Sequence, residues 1–147
     1  MKTYVILIVL AATLLTPIMA RSSQEAQRLG ICLTDSLNGK ERKNLAKWIY
    51  FGMSAHSIMR PYSNITRKEK EKLDKYVADL ITRLLTKDCP KQTASAFKEN
   101  GSEGLKYAFG VVGKVAMQEL MNEPKVSRSL GAFEKYINKD KFKNVFK

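Results

Sequence analysis

From Leu73 onward the apolar residues Leu73, Val77, Leu80 and Leu84 recur at intervals of four, three and four, with Tyr76, Ile81 and Leu85 beside them. That is the period of an α-helix with one apolar stripe. Thr66-Arg67-Lys68-Glu69 stands just before it and reads as a capping box, the threonine oxygen and the glutamate carboxylate each satisfying an orphan backbone donor at a helix start. The helix is predicted to run to about Lys87, where Cys89-Pro90 breaks it.

The rest of the chain is written in the same period. Leu29, Cys32 and Leu33 give a short first helix over about Gln24 to Asp35, leading to an Asn38-Gly39 turn. A second helix is predicted from about Lys40 to Met59. Its Leu45, Trp48, Ile49, Phe51 and Met53 make it apolar on most sides, which marks a central helix. It must stop before Pro61, because proline disfavours helical geometry in the residue that precedes it. After Pro90 a short helix is predicted from Lys91 to Glu99, with Asn100-Gly101 as a left-handed stop. Another is predicted over about Glu103 to Asn122, its stripe formed by Leu105, Phe109, Val112, Ala116 and Leu120. Gly110 and Gly113 lie inside it, each costing about 1 kcal/mol of helix propensity relative to alanine, so a packing or functional reason is expected, such as the close approach of a neighbour. A last helix near Val126 to Ile137 carries Leu130, Phe133 and Ile137, followed by a basic tail whose Phe142 and Phe146 are expected to fold back. No stretch alternates polar and apolar long enough for a strand. The predicted fold is an all-α, single-domain bundle of five to six helices spanning residues 21–147.

What precedes that domain reads as a secretory signal peptide over residues 1–20: Lys2, an apolar run from Val5 to Leu15, then a looser stretch to Ala20. The run is shorter than the roughly 18 to 20 residues a helix needs to cross a bilayer, and no second one of that length follows, so no transmembrane span is expected in the mature chain. Leu29-Gly30-Ile31-Cys32 has the outline of a lipoprotein cleavage box, but it lies well past the apolar run, and no lipid anchor is expected. Export to the periplasm or beyond the cell makes pairing of the two cysteines, Cys32 and Cys89, the default reading. The alternative, two free thiols or a redox pair, has no Cys-x-x-Cys spacing in its favour.

Charge bounds the partners. Lys and Arg number 26 against 14 Asp and Glu, a formal net charge of +12. Residues 40–75 hold ten cations against four anions and residues 123–147 seven against three, so those two segments supply most of the excess. Such a surface attracts anionic partners, an envelope component or an acidic protein, over long range. Solubility alone is the plainer explanation. The densest patch, and the candidate surface for an anionic partner, is Arg67, Lys68, Lys70, Lys72 and Lys75 at the start of the third helix, with Tyr62 and Tyr76 nearby. Nucleic acid is disfavoured by the export signal and by the lack of a recognition motif.

Catalytic chemistry finds little to hold. The single histidine, His56, has no elbow or triad signature around it, and a histidine satisfied at a helix end accounts for it more simply. Asp35, Glu41, Asp74, Asp79 and Glu119 are candidate acids or bases, but none forms a recognisable pair. Glu69, Glu71 and Asp74 among their cations read as a solvated face with i,i+4 ion pairs such as Glu71 with Lys75. Gly101-Ser102-Glu103-Gly104 lacks the lysine and the strand of a phosphate-binding loop. Two bridged cysteines and one histidine are too few for an ordinary zinc site, so no metal or other cofactor is predicted.

Gly39-Lys40-Glu41-Arg42-Lys43, Lys47-Trp48-Ile49, Asp74-Lys75-Tyr76-Val77, Thr82-Arg83-Leu84-Leu85-Thr86, Cys89-Pro90 and Ala116-Met117-Gln118-Glu119-Leu120 together resemble a group of small exported bacterial proteins of unknown function. The resemblance implies a periplasmic address, an oxidised cysteine pair and an all-helical fold, and it transfers no functional residue. The expected role is a binding or interaction module acting through a surface or groove. A periplasmic immunity or inhibitor protein is the alternative, since such proteins share this size, address and disulfide. A small hydrolase using carboxylates ranks below both.

Overall fold

A computed structural model describes residues 18–143 and 145, with side chains from Gln24 onward. Among these residues there are five α-helices and no strand: α1 (Ile18–Asp35), α2 (Gly39–Ser54), α3 (Arg67–Arg83), α4 (Pro90–Met121) and α5 (Pro124–Gly131). The chain is all-α and single-domain, as its periodicity predicts. The apolar run Val5–Leu15 of the leader lies outside the described residues; Ile18–Ala20 form the first turn of α1.

The core is a seam between α1 and α4, on which α2 and α3 pack as a hairpin. Leu29 and Leu33 of α1 and Ala96 and Ala108 of α4 are fully buried, and Val77 and Leu80 of α3, with Leu84 just after it, close the seam. Small residues on α4 let α1 lie close along it, and α1 against α4 is the most extensive contact in the fold. Burying each leucine stabilises the fold by about 2 kcal/mol relative to leaving it in water. Gly30 marks a close approach of the two helices: a Cβ there would stand 2.8 Å from Val111 Cβ.

Cys32 and Cys89 form the disulfide, their Cα atoms 6.1 Å apart. The geometry behind it is a widened turn. After Arg83 the helix continues through Leu84–Asp88 with five-residue spacing, the Cys89 N–H donating to the Leu84 carbonyl at 2.8 Å. This turn occupies the stretch predicted as the end of the third helix, and it delivers a fully buried Cys89 to α1.

Three expectations need correction. The second helix ends at Ser54, not Met59: the Ser54 hydroxyl donates to the Phe51 carbonyl at 2.8 Å, and from Ala55 the backbone bonds tighten into turns. A serine that bonds back into the last turn competes with continued helix. Nor is this helix central. Trp48 and Met53 are 38% and 46% exposed, and the central place belongs to α4, which packs on both α1 and α2. By contrast, the stop predicted at Asn100-Gly101 is present: Gly101 takes a φ of +56° with ψ of −139°, non-helical values that kink α4 and divide it into two helical segments. Finally, the last helix stops at Gly131 and passes into a tight 3-10 turn over Ala132–Tyr136. The change of period dissolves the predicted stripe: Leu130, Phe133 and Ile137 are 55%, 60% and 37% exposed. Phe142 is exposed too, and Phe146 lies outside the described residues.

Candidate functional site

The predicted cationic patch sits on the outer turns of α3. Its start is built as the sequence indicates: Glu69 N–H donates to Thr66 Oγ1 at 3.2 Å, and Thr66 N–H donates back to Glu69 Oε2 at 2.9 Å. Hydrogen bonds to the carboxylate from the Thr66 hydroxyl, at 2.6 Å, and then from the Thr66 N–H hold the Glu69 carboxyl below its usual range. Arg67, Lys68, Lys70, Lys72 and Lys75 are all exposed. The structure divides them into two sets. Lys70 Nζ lies 2.6 Å from Asp74 Oδ2, and Lys75 Nζ 2.9 Å from Glu71 Oε1, the second being the i,i+4 pair predicted. Arg67, Lys68 and Lys72 have no ion-pair partner among the described residues. Tyr62 is exposed beside this face, whereas Tyr76 turns inward and packs against the core.

Folding adds a cation that spacing along the chain did not group with these. The hairpin brings Arg60, from the short turn Arg60–Tyr62, to the same groove as Arg67 and Lys70. The groove has a volume of about 440 Å³, with Ser54, Ser63 and Thr66 as its hydroxyl-bearing walls and no carboxylate among the residues that line it. No signal in the sequence joins Arg60 to this set, because the contact depends on how the segment after Ser54 turns back.

A second recess opens farther along the same hairpin. Leu45, Trp48 and Ile49 of α2, Ile81 of α3, and Phe109 and Gly113 of α4 enclose about 330 Å³ with almost no polar atom on its wall. Trp48 links the two recesses chemically. Its indole N–H donates to Asp74 Oδ1 at 2.9 Å, while the other Asp74 oxygen takes Lys70. Hydrogen bonds from Lys70 and then Trp48 hold the Asp74 carboxyl below its usual range. Gly113 is where the sequence expected a neighbouring helix to come close. The reverse is found: a Cβ at Gly113 or Gly110 would meet nothing within 4 Å.

The other candidate acids and bases are structural or solvated. Glu41 is the one buried charged side chain among the described residues, paired at 2.8 Å with Arg83 Nη1 and capped by Asn38 N–H at 2.9 Å. Burial opposes its ionisation, but the Asn38 backbone bond and Arg83 outweigh that and lower its carboxyl below the usual range. Arg83 Nε stands 2.9 Å from Asp88 Oδ2 as an ion pair too bent to count as a hydrogen bond. His56 is exposed just beyond the end of α2, its Nδ1 accepting from Ile58 N–H at 3.3 Å. Asp35 shares a surface groove with Glu25, Arg28 and Lys91, Glu119 shares one with Glu123 and Lys43, and Asp79 is exposed; none of these grooves includes His56. Among the described residues no helix is long and apolar enough to cross a membrane, and no three His, Cys, Asp or Glu side chains gather as metal ligands would. Comparisons of the chain with protein-family models, with curated proteins and with solved structures return no match.

Proposed function

We propose that this chain is an exported helical binding protein that takes an anionic partner on the face built by α3 and the turn before it. The observation that carries the reading is a set of cations left without carboxylates: Arg67, Lys68 and Lys72 are exposed and unpaired among the described residues, and Arg60 and Arg67 share a groove lined by no acid. In a chain of net charge +12, cations already neutralised by neighbours would speak for solubility; unneutralised ones clustered at a groove speak for a partner. An anionic component of the envelope fits the predicted export to the periplasm or beyond, and an acidic protein is the alternative partner that the same test separates.

The test is co-sedimentation with vesicles of anionic or zwitterionic lipid at low and high salt. Anionic vesicles are expected to retain the protein, with retention falling steeply as salt shortens the screening length from about 30 Å at 0.01 M to about 8 Å at 0.15 M. The variant Arg67→Glu, Lys68→Glu, Lys72→Glu is expected to lose it. Retention indifferent to salt and to those substitutions would remove the electrostatic reading, and salt-sensitive capture of an acidic protein with no vesicle binding would move the partner from envelope to protein.

A further inference from the structure

The apolar recess needs an explanation of its own. Protein interiors are packed to the density of organic crystals, and this bundle obeys that rule along α1 and α4, where Leu29, Leu33 and Ala108 are fully buried. Yet between α2, α3 and α4 it leaves about 330 Å³ walled by hydrocarbon. Gly113 sharpens the point. A glycine inside a helix is unfavourable, and here it permits no close approach, since a side chain at that position would enter open space. What its missing side chain does is keep the recess large.

We propose that this recess holds the aliphatic chain of a single-chain anionic amphiphile, with the headgroup lying toward the groove lined by Arg60, Arg67 and Lys70. Size and lining choose the tail. A dry apolar cavity of about 150 Å³ takes a benzene ring, so twice that volume accommodates roughly a dozen carbons. A wall with almost no polar atom offers nothing to a ligand that carries hydrogen-bonding groups along its length. Charge chooses the head. Trp48 and Ile49 line the recess, and Phe51 and Ser54 line the cationic groove. At 1.5 Å per residue the two sets are about 3 to 9 Å apart along α2, while Lys70 of the groove and Ile81 of the recess are about 16 Å apart along α3, a span within the reach of an extended twelve-carbon chain. Trp48, half exposed and tied through Asp74 to Lys70, stands between them. The headgroup part rests on the anionic-partner reading above; the tail part does not.

Trp48 is the single tryptophan of the chain, so its fluorescence reports on the recess directly. Purified protein would be titrated with dodecanoate, dodecan-1-ol and acetate. Dodecanoate is expected to give a saturable blue shift and to bind at least tenfold more tightly than the alcohol, with acetate giving no shift. Gly113→Leu, which places a side chain in the recess, is expected to weaken dodecanoate and dodecanol alike by tenfold or more. Gly113→Val, a smaller filling, should give an intermediate loss, and circular dichroism of both variants separates filling from unfolding. Gly110→Ala, an equally open glycine outside the recess wall, is expected to bind as the parent does. Arg60→Ala with Arg67→Ala should reduce dodecanoate to the affinity of dodecanol.

No saturable shift with dodecanoate or dodecanol, or a folded Gly113→Leu that binds as the parent, overturns the tail site whatever the vesicles do. Equal affinity for acid and alcohol keeps the tail site and overturns the headgroup assignment, and with it this groove as the place where an anion is read.

Discussion

The two long faces of α4 are built on opposite principles. Toward α1 the helices touch so closely that Gly30 has no room for a methyl group, Val111 Cβ lying 2.8 Å from where that group would begin. On the side of α2 and α3 the same helix packs on α2 but leaves a gap, where Gly113 borders about 330 Å³ of unfilled hydrocarbon-lined space. One glycine is required by contact and the other leaves contact out. The difference separates a face that holds the fold together from one with room for something else.

The disulfide lies on the close-packed side and should give the largest effect. It closes a loop of 57 residues in sequence, which in the chain-entropy model stabilises the fold by about 4 kcal/mol. Cys89→Ala paired with Cys32→Ala is expected to lower the unfolding free energy in urea by about that amount. A loss below ~1 kcal/mol would mean that the α1 and α4 seam holds without its staple. Next comes the seam itself. Gly30→Val forces a side chain against Val111, and overpacking a tight contact costs about 2 to 3 kcal/mol even though a helix favours valine over glycine. If Gly30→Val melted no lower than the parent, the two faces of α4 would not differ as described.

The Glu41 and Arg83 pair joins α2 to the end of α3, between the two faces. Glu41 is buried while Arg83 is partly open to water, so breaking the pair should cost less than a fully buried one, about 2 kcal/mol for Arg83→Met. The pH dependence has a definite sign. Because the folded protein holds the Glu41 carboxyl below its ordinary value of 4.5, the stabilisation is complete above about that pH and is lost as pH falls through the lowered value. The stability difference between parent and Glu41→Gln should therefore be flat from pH 7 to about 5 and shrink below 4.5. A difference that grew toward acid would reverse the assignment.

How much of this was legible in advance follows from which features are local. The capping box at Thr66, the stripe from Leu73 to Leu84, the turn at Gly101 and the Glu71 with Lys75 pair are set by residues within a few positions of each other, and the structure reproduces them. The disulfide was legible for another reason: two cysteines in a chain read as exported leave one pairing. What could not be read depends on contacts across the fold. Arg83 reaches Glu41 over 42 residues, Trp48 reaches Asp74 over 26, and Arg60 meets Arg67 only because the chain turns after Ser54. The glycines show the limit most clearly, since Gly30, Gly110 and Gly113 all lie inside helices and only the packing tells which one touches a neighbour. The cations of α3 are adjacent in sequence, but their division into paired and unpaired members depends on side-chain geometry.

The smallest effect is the most discriminating. Gly113→Ala adds one methyl group at a helix-interior position where nothing lies within 4 Å. Helix propensity alone then favours the variant by about 1 kcal/mol, so thermal unfolding should move up by a few degrees, opposite in sign to Gly30→Val. The same methyl reduces the space beside Trp48, so a more stable protein should bind dodecanoate less well. That pairing is what a site kept open at the expense of stability would show. If Gly113→Ala proved less stable than the parent, the recess would have to be closed in solution by neighbouring side chains, and the contrast between the two faces of α4 would collapse.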